Sequence, residues 1–293
     1  MAETQTGRPI AILAGGGALP GLLAEAVRRA GDKPVIFPIA GEADVADFPG
    51  FTAHEYRWGE IGGLFRLIQS AGCKEVVFIG GITRRPDFRA LRPDIGGLVL
   101  LPRLLKLLRR GDDGALSEVA ELFSEKGVTL VGPLSVAPEL ALPEGLVCGK
   151  APPADLRADM ARAAEAARAI GRLDIGQAAI AVDGRVVALE GAEGTDDMLG
   201  RVAQLRVAGR IAKSGGVLVK CMKPNQDPRL DLPGIGPNTA AAARRAGLDG
   251  VAGDAGRALL AGRAETIAAF EKEGLFLIGM PHPRDKTGDG NDA

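Results

Sequence analysis

The chain reads as an α/β protein of two domains. A Rossmann-like N-terminal domain with a parallel sheet spans residues 1–145, and a mixed α/β catalytic domain spans 146–293, the two joined by a Pro/Gly-rich linker. Three observations carry this reading. Short apolar runs alternate with helical periods through the first half, the pattern of strands covered by helices. The pattern then loses its period between Pro138 and Pro153, where Pro138, Pro143, Gly145, Gly149, Pro152 and Pro153 collect. Beyond that stretch an Asp-Gly pair, Asp183-Gly184, sits between two alternating apolar runs and predicts an antiparallel hairpin. At 293 residues the chain is long for one compact core and comfortable for two of ordinary size.

Taken in order, residues 10–14 form a buried strand, followed by Gly15, Gly16 and Gly17 and a helical pattern over 19–30 that Gly31 closes. Residues 34–38 are the second strand, 62–71 a helix ending at Gly72, and 76–81 a third strand that again runs into glycine. Helices follow over 103–110 and 115–126, with a strand at 128–131 after Gly127. In the second half an Ala/Arg-rich helix covers 155–170, the hairpin strands 177–182 and 185–190, and a helix 195–209. A strand at 217–222, helices at 238–246 and 265–273 and a strand at 275–280 complete it, with a polar tail from Pro281.

The composition narrows the chemistry. Hydrophobic residues make up 46% and charged residues 25%, the balance of a globular protein, and a net charge of −1 supplies no global field to recruit nucleic acid. Any anionic partner must be held by local basic groups. Cys73, Cys148 and Cys221 are scattered without a C-x-x-C pair, which fits a reducing cytosol rather than a disulfide framework or zinc site. With two histidines, His54 and His282, serine-protease or zinc-hydrolase chemistry has little to draw on, so carboxylates, lysines or an oxygen-ligated metal must do the work of an enzyme. The polar start lacks a signal-peptide pattern, and no run of about 18 apolar residues occurs. A cytoplasmic location is therefore expected.

The densest chemistry lies in residues 216–233, where an apolar strand delivers Lys220, Lys223, Asp227, Arg229 and Asp231 into a turn stiffened by Pro224, Pro228 and Pro233. Read blandly, this is a solvated surface loop; read functionally, its charges are held in place for a substrate. At the first turn Gly15 and Gly17 match the dinucleotide fingerprint, but Pro20 stands where its third glycine belongs. Two readings stand there, a phosphate site of Gly16, Gly17 and Ala18 at a helix N-terminus, or a purely structural turn. Asp112 and Asp113, flanked by glycines, can cap a helix, accept sugar hydroxyls or bind metal. Thr195 reads as an N-cap with Asp196 and Asp197 complementing the helix dipole, whereas Glu193-Gly194 beside it has no structural explanation and suits magnesium or a ligand. The leucine- and base-rich stretch 101–110 reads as a half-buried helix, or as a surface for acyl chains and anionic headgroups.

Together the motifs resemble one family. Residues 14–20, Arg85-Pro86-Asp87-Phe88, Gly111-Asp112-Asp113, Asp174-Ile175-Gly176-Gln177, Glu193-Gly194-Thr195-Asp196 and Lys223-Pro224 through Asp231-Leu232-Pro233 with Ile235-Gly236 are similar, in order, to the LpxI-type UDP-2,3-diacylglucosamine pyrophosphatases of lipid A biosynthesis. Gly200, Asn225 and Asp197 depart from the pattern. The resemblance implies substrate between two α/β domains and hydrolysis of a lipid-linked nucleotide-sugar diphosphate, assisted by Mg2+ or Mn2+. It implies Asp231, Asp227 and Lys223 as catalytic residues. It further implies Gly16, Gly17, Ala18, Gly81, Asp112, Asp113, Gln177, Gly194, Thr195 and Lys220 as substrate contacts, and Asp231, Asp227, Glu193 and Asp196 as metal ligands. The substrate's acyl chains imply peripheral contact with the cytoplasmic face of the inner membrane. A nucleotide-dependent oxidoreductase and a non-catalytic nucleotide-sugar or lipid-binding protein are the rival classes.

Overall fold

The computed structural model describes residues 7–82, 94, 97, 112–224, 227–229 and 232–283 and, over 112–118, the backbone alone. The chain divides into two units, Met1–Glu139 with Asp227–Asp231, and Leu140–Gln226 with Leu232–Ala293.

In the first unit β1 (Pro9–Ala14), β2 (Lys33–Pro38), β3 (Thr52–Ala53), β4 (Glu75–Ile79) and β5 (Thr129–Leu130) form the predicted parallel sheet, in the order β3-β2-β1-β4-β5. Ile10, Ala11, Ile12 and Leu13 of β1 are all buried, because a central parallel strand is covered on both faces and reads as an unbroken apolar run. Helix α1 (Leu19–Arg29) buries Leu23, Ala24, Ala26 and Val27 along one stripe, and α2 (Ile61–Ser70) buries Leu64, Phe65 and Ile68. Helix α3 (Asp112–Glu125) brings Phe123 onto Phe65 and Phe78, with ring centroids 4.8 and 5.5 Å apart, and the short α4 (Pro133–Val136) follows β5. The chain runs outward from β1 to β3 and then crosses to β4. The sheet therefore has its topological switch point between β1 and β4, where open α/β sheets of this kind take ligands.

The second unit holds a mixed six-stranded sheet, formed by β6 (Gly145–Cys148), β7 (Ala178–Val182), β8 (Arg185–Leu189), β9 (Val217–Lys220), β11 (Gly250–Asp254) and β13 (Phe276–Met280) in the order β6-β13-β11-β9-β7-β8. Strands β9, β11 and β13 are parallel, while β6 and the β7–β8 hairpin run antiparallel to their neighbours. The Pro/Gly-rich stretch after Pro138 thus also supplies an edge strand, a place where prolines and glycines are tolerated. At the hairpin turn Asp183 and Gly184 both take positive φ, 50° and 75°, as a tight two-residue connection demands. Helix α5 (Ala154–Arg172) covers one face, setting Ala163, Ala164 and Ala167 against Ala179, Ala181, Val217 and Val219, so small residues bring helix and sheet close. Helices α6 (Gly194–Val207), α7 (Pro237–Arg245) and α8 (Arg263–Lys272) cover the other with Met198, Leu199, Val202, Ala243 and Phe270. A parallel pair, β10 (Gly234–Ile235) and β12 (Leu259–Leu260), completes the unit.

Strand β11 carries little strand signal in the sequence, since two of its five residues are glycine. Packing explains both. A Cβ at Gly250 would lie 2.5 Å from the Phe276 ring, and one at Gly253 would lie 3.0 Å from Leu142 Cδ2.

Candidate active site

At the switch point of the first unit, the loops leaving β1 and β4 close on each other. Gly16 N donates to Gly81 O at 2.8 Å, Gly81 N returns a bond to Gly16 O at 2.9 Å, and Gly15 N donates to Ile79 O at 2.9 Å. A Cβ on Gly15 would stand 2.5 Å from the Gly81 oxygen, so glycine is needed there for backbone to meet backbone. The Gly16 amide is thereby committed. Gly17, at φ +92° with open space around it, and Ala18 are exposed beside the start of α1, where helix amides favour anions. Asp112 and Asp113 are the first two residues of α3, which begins three residues before the predicted start.

The loop that leaves β9 returns in part to this first unit. The backbone of Pro228–Arg229 lies against Gly132, where a Cβ would be 3.3 Å from Arg229 Cα. Asp227 is gripped by its neighbour: Arg229 Nε and Nη2 donate to it at 3.0 and 2.6 Å, and the Arg229 amide at 2.9 Å. This guanidinium holds the Asp227 carboxyl below the ordinary carboxylate range and is itself pushed up by it.

In the second unit β9 ends at Lys220, which is 8% exposed and donates from Nζ to Gly234 O at 3.0 Å. Three residues on, Lys223 Nζ donates to Asp174 Oδ1 at 2.6 Å with its side chain 15% exposed. Asp174 follows the C-terminus of α5 at φ +55°, a left-handed conformation that aspartate tolerates better than most residues and that aims its carboxylate at Lys223. Between the two lysines, burial first and then Asp254 push the Cys221 thiol up. Asp254, fully buried at the end of β11, accepts from Met222 N at 3.1 Å and from the Arg168 guanidinium.

A continuous set of hydrogen bonds leads from this strand end to α6. Cys221 N donates to Gln177 O at 2.8 Å, Gln177 N to Glu190 Oε2 at 2.8 Å, and Thr195 Oγ1 to Glu190 Oε1 at 2.5 Å. Glu190, 7% exposed, thus ties two of the predicted substrate contacts together, and a Cβ at Gly176 would collide with its carbonyl oxygen at 2.4 Å. Thr195 is not the N-cap: Glu193 holds that position without a side-chain cap, because the threonine hydroxyl is used on Glu190. Gly194 takes φ +81° in open space, and Gln177 Oε1 is buried without a hydrogen-bond partner among the described residues. Sequence reasoning gave no role to Glu190, Asp254, Arg168 or Asp174. Of these, Asp174 and Glu190 stand within stretches that the sequence singles out, without a role of their own.

Asp231, the stretch 101–110 and Arg85-Pro86-Asp87-Phe88 lie outside the described residues. The carboxylates expected to bind metal are differently placed. Glu193 is held by Arg201, Asp227 by Arg229, and Asp196 is exposed in the first turn of α6. Among the described residues no three His, Cys, Asp or Glu side chains gather as a group that could hold a metal ion.

The described residues thus form two α/β units, with a glycine-closed switch point in the first and, in the second, a strand end where Lys220 and Lys223 are each engaged by a neighbour. The family follows from the chain itself. Residues 9–140 match the family model of the LpxI N-terminal domain and residues 143–278 that of the LpxI C-terminal domain. Over 275 residues the chain is 42% identical to the UDP-2,3-diacylglucosamine pyrophosphatase LpxI of Caulobacter vibrioides, covering 93% of this chain and 98% of that protein. The chain belongs to the LpxI family.

Proposed function

We propose that this protein hydrolyses UDP-2,3-diacylglucosamine, the substrate in its Caulobacter relative's name, with water breaking the diphosphate to leave UMP and 2,3-diacylglucosamine 1-phosphate in lipid A biosynthesis. Family membership over both units supports the reaction class. The structural observation that carries the reading is Lys223, a largely sheltered ammonium directed by Asp174 just beyond the end of β9. A diphosphate is already anionic, and its hydrolysis adds charge to the oxygens of the phosphorus under attack and of the leaving group. A fixed cation that strengthens its contact as this charge develops lowers the barrier.

In this reading Lys223 and Lys220 contact the diphosphate, and Asp231, with Asp227 as its nearest rival, orients and deprotonates the attacking water. Gln177, Gly194 and Thr195 of the second unit, and Gly17, Ala18 and Asp112 of the first, position nucleotide and acyl-sugar. The buried, unpartnered amide oxygen of Gln177 supports its part in this set, since a donor from substrate would satisfy it. Magnesium or manganese assistance belongs to the same proposal. Magnesium takes only one or two protein carboxylates together with waters and substrate oxygens, so Asp231 with one of Asp227, Glu193 or Asp196 would suffice. When bound, the ion would neutralise diphosphate charge. Substrate is met at the inner-membrane surface, and no helix among the described residues is long and apolar enough to cross a membrane.

The test is incubation of purified protein with UDP-2,3-diacylglucosamine and magnesium, with and without chelator, reading UMP. Release of UMP that chelation stops is expected, and no release in either condition overturns the reading. Asp231→Ala is expected to cut turnover by orders of magnitude and leave thermal stability unchanged. Near-normal turnover would remove that residue from the mechanism.

A further inference from the structure

The last two turns of α5 and the end of β11 converge on three consecutive residues of the loop after β9. Arg168 holds Asp254, which is fully buried, and Asp254 accepts the amide of Met222 at 3.1 Å. One helical turn on, the bare backbone of Gly171 faces the same loop: a Cβ there would sit 3.2 Å from Pro224 Cδ and 3.3 Å from Lys223 Cα. After the helix ends, Asp174 takes the Lys223 ammonium. Met222 is thus held by a hydrogen bond from its amide to a buried carboxylate and Lys223 by an ion pair, while Lys223 and Pro224 lie where a Cβ on Gly171 would crowd them. Burying Asp254 with Arg168 costs desolvation and a glycine in the last turn of a helix costs conformational entropy, and both Asp254 and Gly171 face the loop that carries Lys223.

We propose that Arg168, Gly171 and Asp254 are positioning residues that set the place of Lys223, acting through the loop backbone and touching no substrate. This rests on the role given to Lys223 above. It makes α5 the ruler of the site: the buried pair fixes how far the loop advances beyond β9, and the gap at Gly171 fixes how closely Lys223 Cα approaches the helix.

Gly171→Ala separates positioning from folding, because alanine favours the helix while its methyl forces the loop to give by a few tenths of an ångström. The expected result is an unchanged or higher Tm, KM little changed, and kcat lowered about tenfold or more, since misplacing a group by about 1 Å costs on the order of 100-fold. Asp254→Asn should lower kcat in the same way. In both variants, amine acylation of Lys223, followed by mass spectrometry with an N-hydroxysuccinimide ester, should differ in rate from wild type. Unchanged kcat together with an unchanged labelling rate in Gly171→Ala overturns the proposal, and should Asp254→Asn not fold, Gly171→Ala decides alone. If wild-type protein releases no UMP, the functional reading fails, yet the labelling rate in Gly171→Ala still judges the positioning claim: a change supports it and no change refutes it.

Discussion

The two units finish their sheets in opposite ways. In the first, the strands flanking the switch point end in glycines whose backbones bond to each other, Gly16 with Gly81, and the described part of that junction offers amides and open space. In the second, strand ends carry side-chain charge: Lys220 at β9, Asp254 at β11, and Lys223 just beyond, each already engaged by a neighbour. The first arrangement suits close approach of a ligand and the second suits acting on one. Substitutions at the glycine junction of the first unit and at the charged strand ends of the second should therefore fail differently, the former through stability and the latter through rate.

The largest expected effect is at Lys223. Lys223→Ala removes one cation from the proposed diphosphate contact, and loss of a single charge-stabilising donor typically costs about 100- to 1,000-fold in kcat. Its partner Asp174 is 31% exposed, so water replaces the lost ammonium and the melting temperature should hold. The measurement is kcat for UMP release beside a thermal melt. A full-rate enzyme would sever the link between strand-end charge and chemistry, whereas a large drop in melting temperature would show that Lys223 is a structural partner of α5.

What the sequence allowed to be read follows the range of the interactions. Local signals survived: the Asp183-Gly184 hairpin, the glycine stops at Gly31 and Gly72, and the apolar runs of β1 and β4 are all written within a few residues. The density of charge after β9 was equally visible. What it did not reveal was who holds whom. Lys223 meets Asp174 across 49 positions and Arg168 meets Asp254 across 86, and no periodicity encodes such pairs. Strand β11 was hidden because Gly250 and Gly253 are there to admit Phe276 and Leu142, so tertiary packing overrode strand propensity. The sequence neighbours of Thr195 fit a cap, while its hydroxyl finds an acceptor in Glu190. The three glycines of the first turn divide between the two readings open at that point: Gly15 and Gly16 are explained by backbone closure, and Gly17 remains exposed to solvent.

The middle-sized effect tests the glycine junction. Gly15→Ala would place a methyl 2.5 Å from one backbone oxygen and 2.8 Å from the Gly80 carbonyl carbon, neither of which can rotate away. Overpacking of this kind costs about 1–3 kcal/mol. In a chain of this size that corresponds to roughly 2–4 °C in melting temperature per kcal/mol, carried by the first unit. Limited proteolysis should show cuts appearing first in residues before Glu139. Gly17→Ala, by contrast, adds its methyl to open space but at φ +92°, so it should strain the turn without breaking the Gly16–Gly81 bridge. If Gly15→Ala melts like wild type, the junction is looser than its hydrogen bonds imply.

The smallest effect is also the one that discriminates best at Asp227, the loop residue that packs with the first unit. Its carboxyl is held below its ordinary value of 3.8, chiefly by the Arg229 hydrogen bonds. A depressed folded-state value stabilises the charged form, so the contribution is complete above the unfolded value and is lost as pH falls through the folded one. The Arg229 side chain is 45% exposed, so solvent screening limits the pair to about 1 kcal/mol or less. Asp227→Asn should thus be slightly less stable than wild type at neutral pH and equal to it in strong acid, as read from urea unfolding at each pH. Activity adds the second half of the test. If the arginine is the real partner of Asp227, the variant should lose this acid-sensitive increment and keep most of its turnover, leaving Asp231 as the loop carboxylate that acts on water. A collapse in turnover with no change in the pH profile of stability would instead move Asp227 from packing into the chemistry.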